Sequence, residues 1–248
     1  MNDINLKPDI SNQDALSFLK KGERCRNCDK REGALCEVLT CEELDQLDGI
    51  MSWVKFPAGQ TIFTEGDNLD NYYNITEGVI RLIRIMPDGR RAVLDFLYPG
   101  DFVGLNANGE HAYSAEAVTP VRLCCFPKQK LQALFGEIPK MESRLLGIFA
   151  DKLVSSQHQQ ADLARKSPRE RLAAFLLGLS GKRGLNAGEN VFRLPMSRED
   201  ISDYLGLTIE TISRTLSAFA KESLIKIDQR KTITLLAPEK LQDLADGA

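Results

Sequence analysis

Three of the chain's six cysteines, Cys25, Cys28 and Cys36, fall within the twelve residues CRNCDKREGALC, in the spacing C-x2-C-x7-C. Two more are adjacent in LCCFPKQKL, Cys124 and Cys125, and Cys41 stands alone in TCEELDQLDGI. Closely spaced thiols on a polar segment suit a disulfide, a zinc ion or an iron–sulfur cluster. Spacing does not choose among these, since zinc sites built from four cysteines are common. His111 and His158 have no ligand spacing between them and are given no role. No Ser-His-Asp set, phosphate loop or paired catalytic carboxylates emerges, so an enzyme is not expected.

The compartment narrows the choice. The N-terminal stretch MNDINLKPDISNQDALSFLKKGER has no uninterrupted apolar run of the secretory kind. No segment approaches the ~18 apolar residues of a membrane span. The expectation is a cytoplasmic chain without membrane attachment, and stable disulfides are rare in the cytoplasm. Metal or redox chemistry then gains weight. The 248 residues, 43% hydrophobic and 27% charged, allow one large globular domain or two modest ones.

The elements that must carry the cysteines can be read in order. Residues 1–45 form a polar, cysteine-bearing segment ending in a short helical pattern, where Cys41 is read as structural. Residues 46–138 carry short β-rich runs, with Gly78, Gly89 and Gly100 at intervals of 11. Turn signals at that interval predict an antiparallel sandwich or barrel. Asp88-Gly89 suits a tight hairpin loop. If LCCF lies on a strand, Cys124 and Cys125 point to opposite faces, and only one can face a shared site.

Residues 139–166 predict one long helix. Leu146, Phe149, Leu153, Ser156, Gln160 and Leu163 follow the alternating spacing of a coiled-coil seam with polar middle rungs. A helix lying on its own sheet is the alternative; its length and its place between two domains favour a homodimer seam. Ser167-Pro168 then caps a new helix and opens a C-terminal domain, residues 167–248.

That domain contains SREDISDYLGLTIETISRTLSAFAKESL, read as two helices around a glycine turn. Ser197 caps the first, with Ile201 and Leu205 facing inward. Gly206 stands where a positive φ is favoured. Thr208 caps the second helix, whose buried stripe is Ile212, Leu216 and Phe219. This is the helix-turn-helix pattern, whose second helix enters the major groove of double-stranded DNA. Glu210, Thr211, Ser213 and Arg214, together with Thr208, are the candidate DNA-binding residues. Arginine can pair with guanine and glutamate can accept from cytosine N4. IKIDQRKTITLL predicts a wing, with Arg230 and Lys231 near phosphate. Net charge is −3 overall, yet from Lys166 onward there are 13 basic and 11 acidic residues, leaving 19 and 24 before it. The basic tilt falls on the presumed DNA end, although it is slight.

A glycine-punctuated β-domain, a long helix and a winged helix-turn-helix together resemble the CRP/FNR family of bacterial transcription regulators, over nearly the whole chain. GLTIETISRTL is similar to the recognition helix of the FNR branch, with its E-x-x-S-R pattern at Glu210, Ser213 and Arg214. The resemblance extends to ERLAAFLL at Glu170–Leu177. It implies an α+β fold: an N-terminal antiparallel β jelly-roll like that of cyclic-nucleotide-binding domains, a dimerisation helix and a C-terminal winged helix-turn-helix. It also implies an inverted-repeat operator with TTGAT half-sites, and contact with RNA polymerase where the protein activates transcription. Cyclic-nucleotide binders of the family have G-E-L and a later R-S. Here Gly104-Leu105 lacks the glutamate and Tyr113-Ser114 replaces the arginine, so a cyclic nucleotide is not expected.

FNR-type members hold an oxygen-labile [4Fe–4S] cluster on three N-terminal cysteines and one from the β-domain. Cys25, Cys28 and Cys36 fit the N-terminal set, in a spacing that resembles the α-proteobacterial FnrN/FnrL group. The family places the fourth ligand three residues before a proline, so Pro127 selects Cys124 and leaves Cys125 as a core residue. Oxygen converts the cluster to [2Fe–2S] in this family, and the dimer is lost. A zinc or thiol redox site in a regulator of the same family is the competing expectation.

Overall fold

The computed structural model describes residues 24–28, 30–104, 106, 108–182, 185–188, 190–229 and 231–247. Arg230, expected near phosphate, and Leu105 lie outside them. Helix α1 (Cys41–Ile50) starts from a closed capping box. The Thr40 hydroxyl accepts from Glu43 N–H and the Glu43 carboxylate accepts from Thr40 N–H. Two donors that a helix start leaves unpaired are thereby satisfied. Cys41 takes the first position of this helix and is exposed.

Eight strands follow: β1 (Ser52–Phe56), β2 (Thr61–Phe63), β3 (Asn71–Glu77), β4 (Ile80–Ile85), β5 (Arg91–Leu97), β6 (Phe102–Val103), β7 (Ser114–Ala117) and β8 (Val121–Pro127). They form two four-stranded sheets, in the orders β1-β8-β3-β6 and β2-β7-β4-β5. One apolar core draws on both sheets, with Val54, Ile75, Leu82, Leu97, Ala115 and Leu123 among its members. This is an antiparallel sandwich, as the turn spacing predicts, and the β jelly-roll that the family resemblance implies. Gly89 takes the positive φ of the β4–β5 turn, at 83°.

Strand alternation gives the β1-β8-β3-β6 sheet a second buried face. Tyr72, Phe102 and Phe126 point there, against Leu44 and Leu47 of α1 and Leu131 and Leu134 of helix α2 (Lys128–Glu137). Leu35 and Leu39, which follow the clustered cysteines, join the same core. The cysteine-bearing segment is therefore packed on the sheet by its own leucines.

Helix α3 (Pro139–Arg165) is 27 residues long, about 40 Å at the α-helical rise. Only Met141 and Leu145 are buried along it. Leu146, Phe149 and Leu153 are 65%, 40% and 61% exposed, so the helix does not lie on a sheet along its length.

Contacts divide the chain into two compact units. One ends at Leu82 and resumes as Leu97–Ala150; the other comprises Ile83–Phe96 and the residues from Asp151 on. Residues 83–96, assigned to the β-domain by sequence, thus group with the C-terminal part. Inside that second unit Arg91 pairs with Asp200 at 3.0 Å and Asp203 at 2.8 Å.

The C-terminal elements are α4 (Pro168–Ser180), β9 (Asn186–Gly188), β10 (Val191–Arg193), α5 (Arg198–Leu205), α6 (Ile209–Lys221), β11 (Ile225–Ile227), β12 (Thr232–Leu235) and α7 (Pro238–Asp246). Ser167 caps α4 in a box with Glu170, and Pro168 takes its first position. The strands form one sheet, β11-β12-β10-β9, and Leu172 and Leu176 of α4, Phe192 of β10 and Phe219 of α6 are fully buried. The stretch GKRGLNAGEN reads as loop in sequence but contributes β9. Its three residues are too short for any periodicity to show.

Candidate metal centre and nucleic-acid interface

Cys25 begins a turn closed by a Cys28 N–H to Cys25 carbonyl bond of 3.4 Å. Cys36 lies in the short 3-10 turn Leu35–Val38. Cys124 is in β8, where its direct partners are Trp53 on β1 and Asn74 on β3. These three loop cysteines and Cys124 line a single cavity of about 60 Å³, together with Trp53 and Asn74. Cys125 turns the other way, into the core between the sheets, and is 8% exposed. Cys41 is not among the cavity's lining residues.

Burial dominates the electrostatics of the cavity. It pushes the Cys124 thiol far above its ordinary value, with Cys25, Cys28 and Cys36 adding to the rise and a hydrogen bond from Trp53 opposing it. Cys36 is pushed up to about 11, by burial first and by Cys28 next. Cys25 is raised by burial and then by Asp48, whose carboxylate oxygen accepts from its sulfur at 3.7 Å. Asp48 is fully buried on α1 and pairs with Arg24 Nε at 2.9 Å. Thiols in this condition are neutral at pH 7 and release protons when a metal takes them.

Three cations, Arg24, Lys30 and Arg122, also line the cavity, together with the Glu77 carboxylate, which pairs with Arg122 at 2.6 Å. The other basic residues of the segment are directed elsewhere: Arg26 pairs with Asp45, and Arg31 donates to the Leu39 carbonyl at 3.1 Å. Asn74 Oδ1 is buried there without a hydrogen-bond partner. All six cysteines are free thiols. Among the described residues no three His, Cys, Asp or Glu side chains are arranged to hold a metal ion; the four thiols line one cavity. That donor set fits a multinuclear group, which needs soft thiolates spread around it and compensating positive charge. Cys25, Cys28, Cys36 and Cys124 would hold it.

Sequence reasoning missed Trp53, Asp48 and Asn74. The only available signal was that Trp53 is the chain's one tryptophan; its place beside Cys124 follows from strand register, which no local pattern reveals.

In the helix-turn-helix, Ser197 caps α5 by accepting from Asp200 N–H, and Asp200 returns the bond to Ser197 N–H, both at 3.0 Å. Gly206 leaves the helix at φ 63°. Ile212, Leu216 and Phe219 are buried on α6, at 0%, 2% and 0% exposure, as their spacing predicts. Glu210 and Arg214 are exposed on its outer face, and Ser213 is half-buried. Thr208 and Thr211 are tied to each other, 3.0 Å apart, with the Thr208 hydroxyl also accepting from Thr211 N–H at 3.2 Å. Their first role is to begin the helix. Arg171, unnoticed in sequence, donates to the last carbonyl of α5, Leu205, at 3.0 Å and to the Leu163 carbonyl at 2.7 Å.

A β-roll, a long helix and a winged helix-turn-helix with polar residues outward on its second helix define a DNA-binding transcription regulator. Residues 170–244 match the model of the Crp-like helix-turn-helix domain, and residues 53–137 that of the cyclic nucleotide-binding domain. The nitrogen fixation regulation protein FixK of Bradyrhizobium diazoefficiens is 38% identical over 90% of this chain and 94% of that protein. The transcriptional activator protein FnrL of Cereibacter sphaeroides is 33% identical over 85% of this chain and 87% of its own length. Among solved structures, FixK2 from Bradyrhizobium japonicum superposes with a TM-score of 0.75 at 30% identity, covering 80% of this chain and 99% of that one. The chain belongs to the CRP/FNR family of transcription regulators.

Proposed function

We propose that this regulator senses oxygen through a [4Fe–4S] cluster held by Cys25, Cys28, Cys36 and Cys124, and binds an inverted repeat of TTGAT half-sites as a dimer. The observation that carries the reading is the cavity that a loop and strand β8 enclose, bordered by those four thiols and by Arg24, Lys30 and Arg122. When bound, the cluster supplies an oxygen-reactive centre. The chain's own part is to bring the cysteine-bearing loop against the sheet and to place positive charge beside anionic sulfur.

The exposed Leu146, Phe149 and Leu153 of α3 support a dimer seam. Ser156 and Gln160, also exposed along it, weaken the seam and suit an association that can be switched. A dimer would present two α6 helices to half-sites about one DNA turn apart, ~34 Å. Tyr113 stands where cyclic-nucleotide binders have arginine, and cyclic nucleotide is not the effector in this reading. Activation would add contact with RNA polymerase.

Anaerobic reconstitution, followed by iron counting and visible absorption, tests the cluster. A brown protein with about four irons per chain is expected; a colourless one holding zinc overturns the reading. Sedimentation before and after exposure to air tests the switch, and identical dimers in both samples would sink it.

A further inference from the structure

We infer that Trp53 is a positioning residue for the centre: its indole N–H holds the Cys124 sulfur, and its ring fastens the cysteine-bearing loop to the sheet through Arg24. The inference rests on the iron–sulfur reading above. Trp53 and Cys124 are directly opposed in the antiparallel pair of β1 and β8. Directly opposed residues present their side chains on the same face, with Cβ atoms about 5 Å apart, within reach of an indole. Both side chains border the same cavity, which brings the indole N–H and the Cys124 sulfur to one side of the sheet. An indole N–H only donates, so the sulfur is the acceptor.

The ring has a second set of partners. The guanidinium carbons of Arg24 and Arg122 lie 5.8 and 5.7 Å from its centroid, inside the range of a cation–π contact. Arg24 immediately precedes Cys25 and is anchored on buried Asp48 at 2.9 Å. Arg122 is anchored on Glu77 at 2.6 Å. One side chain on β1 therefore touches the strand that carries Cys124 and the segment that carries the other three cysteines. An aliphatic residue at this position would fill the space but provide neither the donor nor the cation-binding face. Donation to a ligand sulfur draws electron density from it, which raises the reduction potential of the bound group and slows its oxidative loss.

Trp53→Phe removes the N–H and keeps an aromatic face. Wild-type and variant protein are reconstituted without oxygen, and iron content, midpoint potential and the rate of visible-absorbance loss in air are compared. The variant is expected to take up the same iron, to have a lower potential and to lose its absorbance about tenfold faster, the factor a charge-assisted hydrogen bond commands. Equal potentials and equal decay rates overturn the inference and leave the cluster reading standing. Failure of the wild type to take up iron overturns the cluster reading itself. If the variant does not fold, judged by circular dichroism, the wild type decides the matter. Its single tryptophan yields one indole N–H resonance in isotope-labelled protein, expected to shift or broaden on cluster assembly and to exchange slowly with solvent. A resonance unchanged by assembly overturns the inference.

Discussion

Cys124 and Cys125 are neighbours in β8 yet serve opposite faces of one sheet: Cys124 packs with Cys25 and Cys36 beside the cavity, and Cys125 lies in the core between the sheets. Alternation of side chains along a strand produces this separation. Cys124→Ala should abolish iron uptake in anaerobic reconstitution, whereas Cys125→Ala should retain it. The second variant should instead lose about 1 kcal/mol of stability from the vacated core volume. A stable cluster in Cys124→Ala would refute the assignment of the fourth ligand.

The exposed face of α6 separates discrimination from stability. Arg214→Ala should weaken binding to a TTGAT inverted repeat by about 10- to 100-fold, the range of one bidentate base contact. Binding to a scrambled duplex should change far less, as titrations by fluorescence anisotropy at fixed salt would show. Thr208→Ala should act differently. Its hydroxyl caps the helix at 3.2 Å from Thr211 N–H, so its loss should cost about 1 kcal/mol of stability.

Leu153 is 61% exposed on α3, so a charge there disturbs little within one chain. Leu153→Glu should unfold within about 0.5 kcal/mol of the wild type but sediment as a monomer without oxygen and fail to hold the operator. An anaerobic dimer in this variant would move the interface off the seam.

The helix-turn-helix was legible because every local signal agreed: Ser197 as cap, Gly206 as turn, and Ile212, Leu216 and Phe219 at helical spacing. The opposed facing of Cys124 and Cys125 also followed from strand alternation alone. The surroundings of the cysteines were not legible in the same way. Asp48 reaches Cys25 from a helix 23 residues away, and Trp53 meets Cys124 only through the register of β1 on β8. Such pairings are set by tertiary packing. The ion pairs of Arg91 with Asp200 and Asp203 are another such long-range pairing.

Two glycines with positive φ should respond unequally to alanine. At Gly206, φ 63°, an added Cβ would meet side chains of Arg171 and Leu163 at 3.8 Å, ordinary contact. Only the backbone conformation resists, at about 1 kcal/mol. At Gly78, φ 86°, the same atom would lie 2.3 Å from the Pro120 carbonyl oxygen, which forces the backbone to move. Denaturant unfolding should show Gly78→Ala as the more destabilised by at least about 2 kcal/mol.

The buried thiols make the metal-free protein sensitive to alkali. Cys36 is raised from 9.0 to about 11, and burial also lifts Cys25 and Cys124. Between the ordinary and the raised value the folded state holds protons that the unfolded chain has released. Unfolding free energy then falls as pH rises. The contribution is fully present below pH 9 and is lost toward pH 11, on the order of 2 kcal/mol for Cys36 alone. Thermal melts of reduced, metal-free protein at rising pH should therefore fall steeply above about pH 9. Cys36→Ala should flatten that fall, because the variant has one fewer buried proton to lose. An unchanged slope in Cys36→Ala would show that another group governs the alkaline loss.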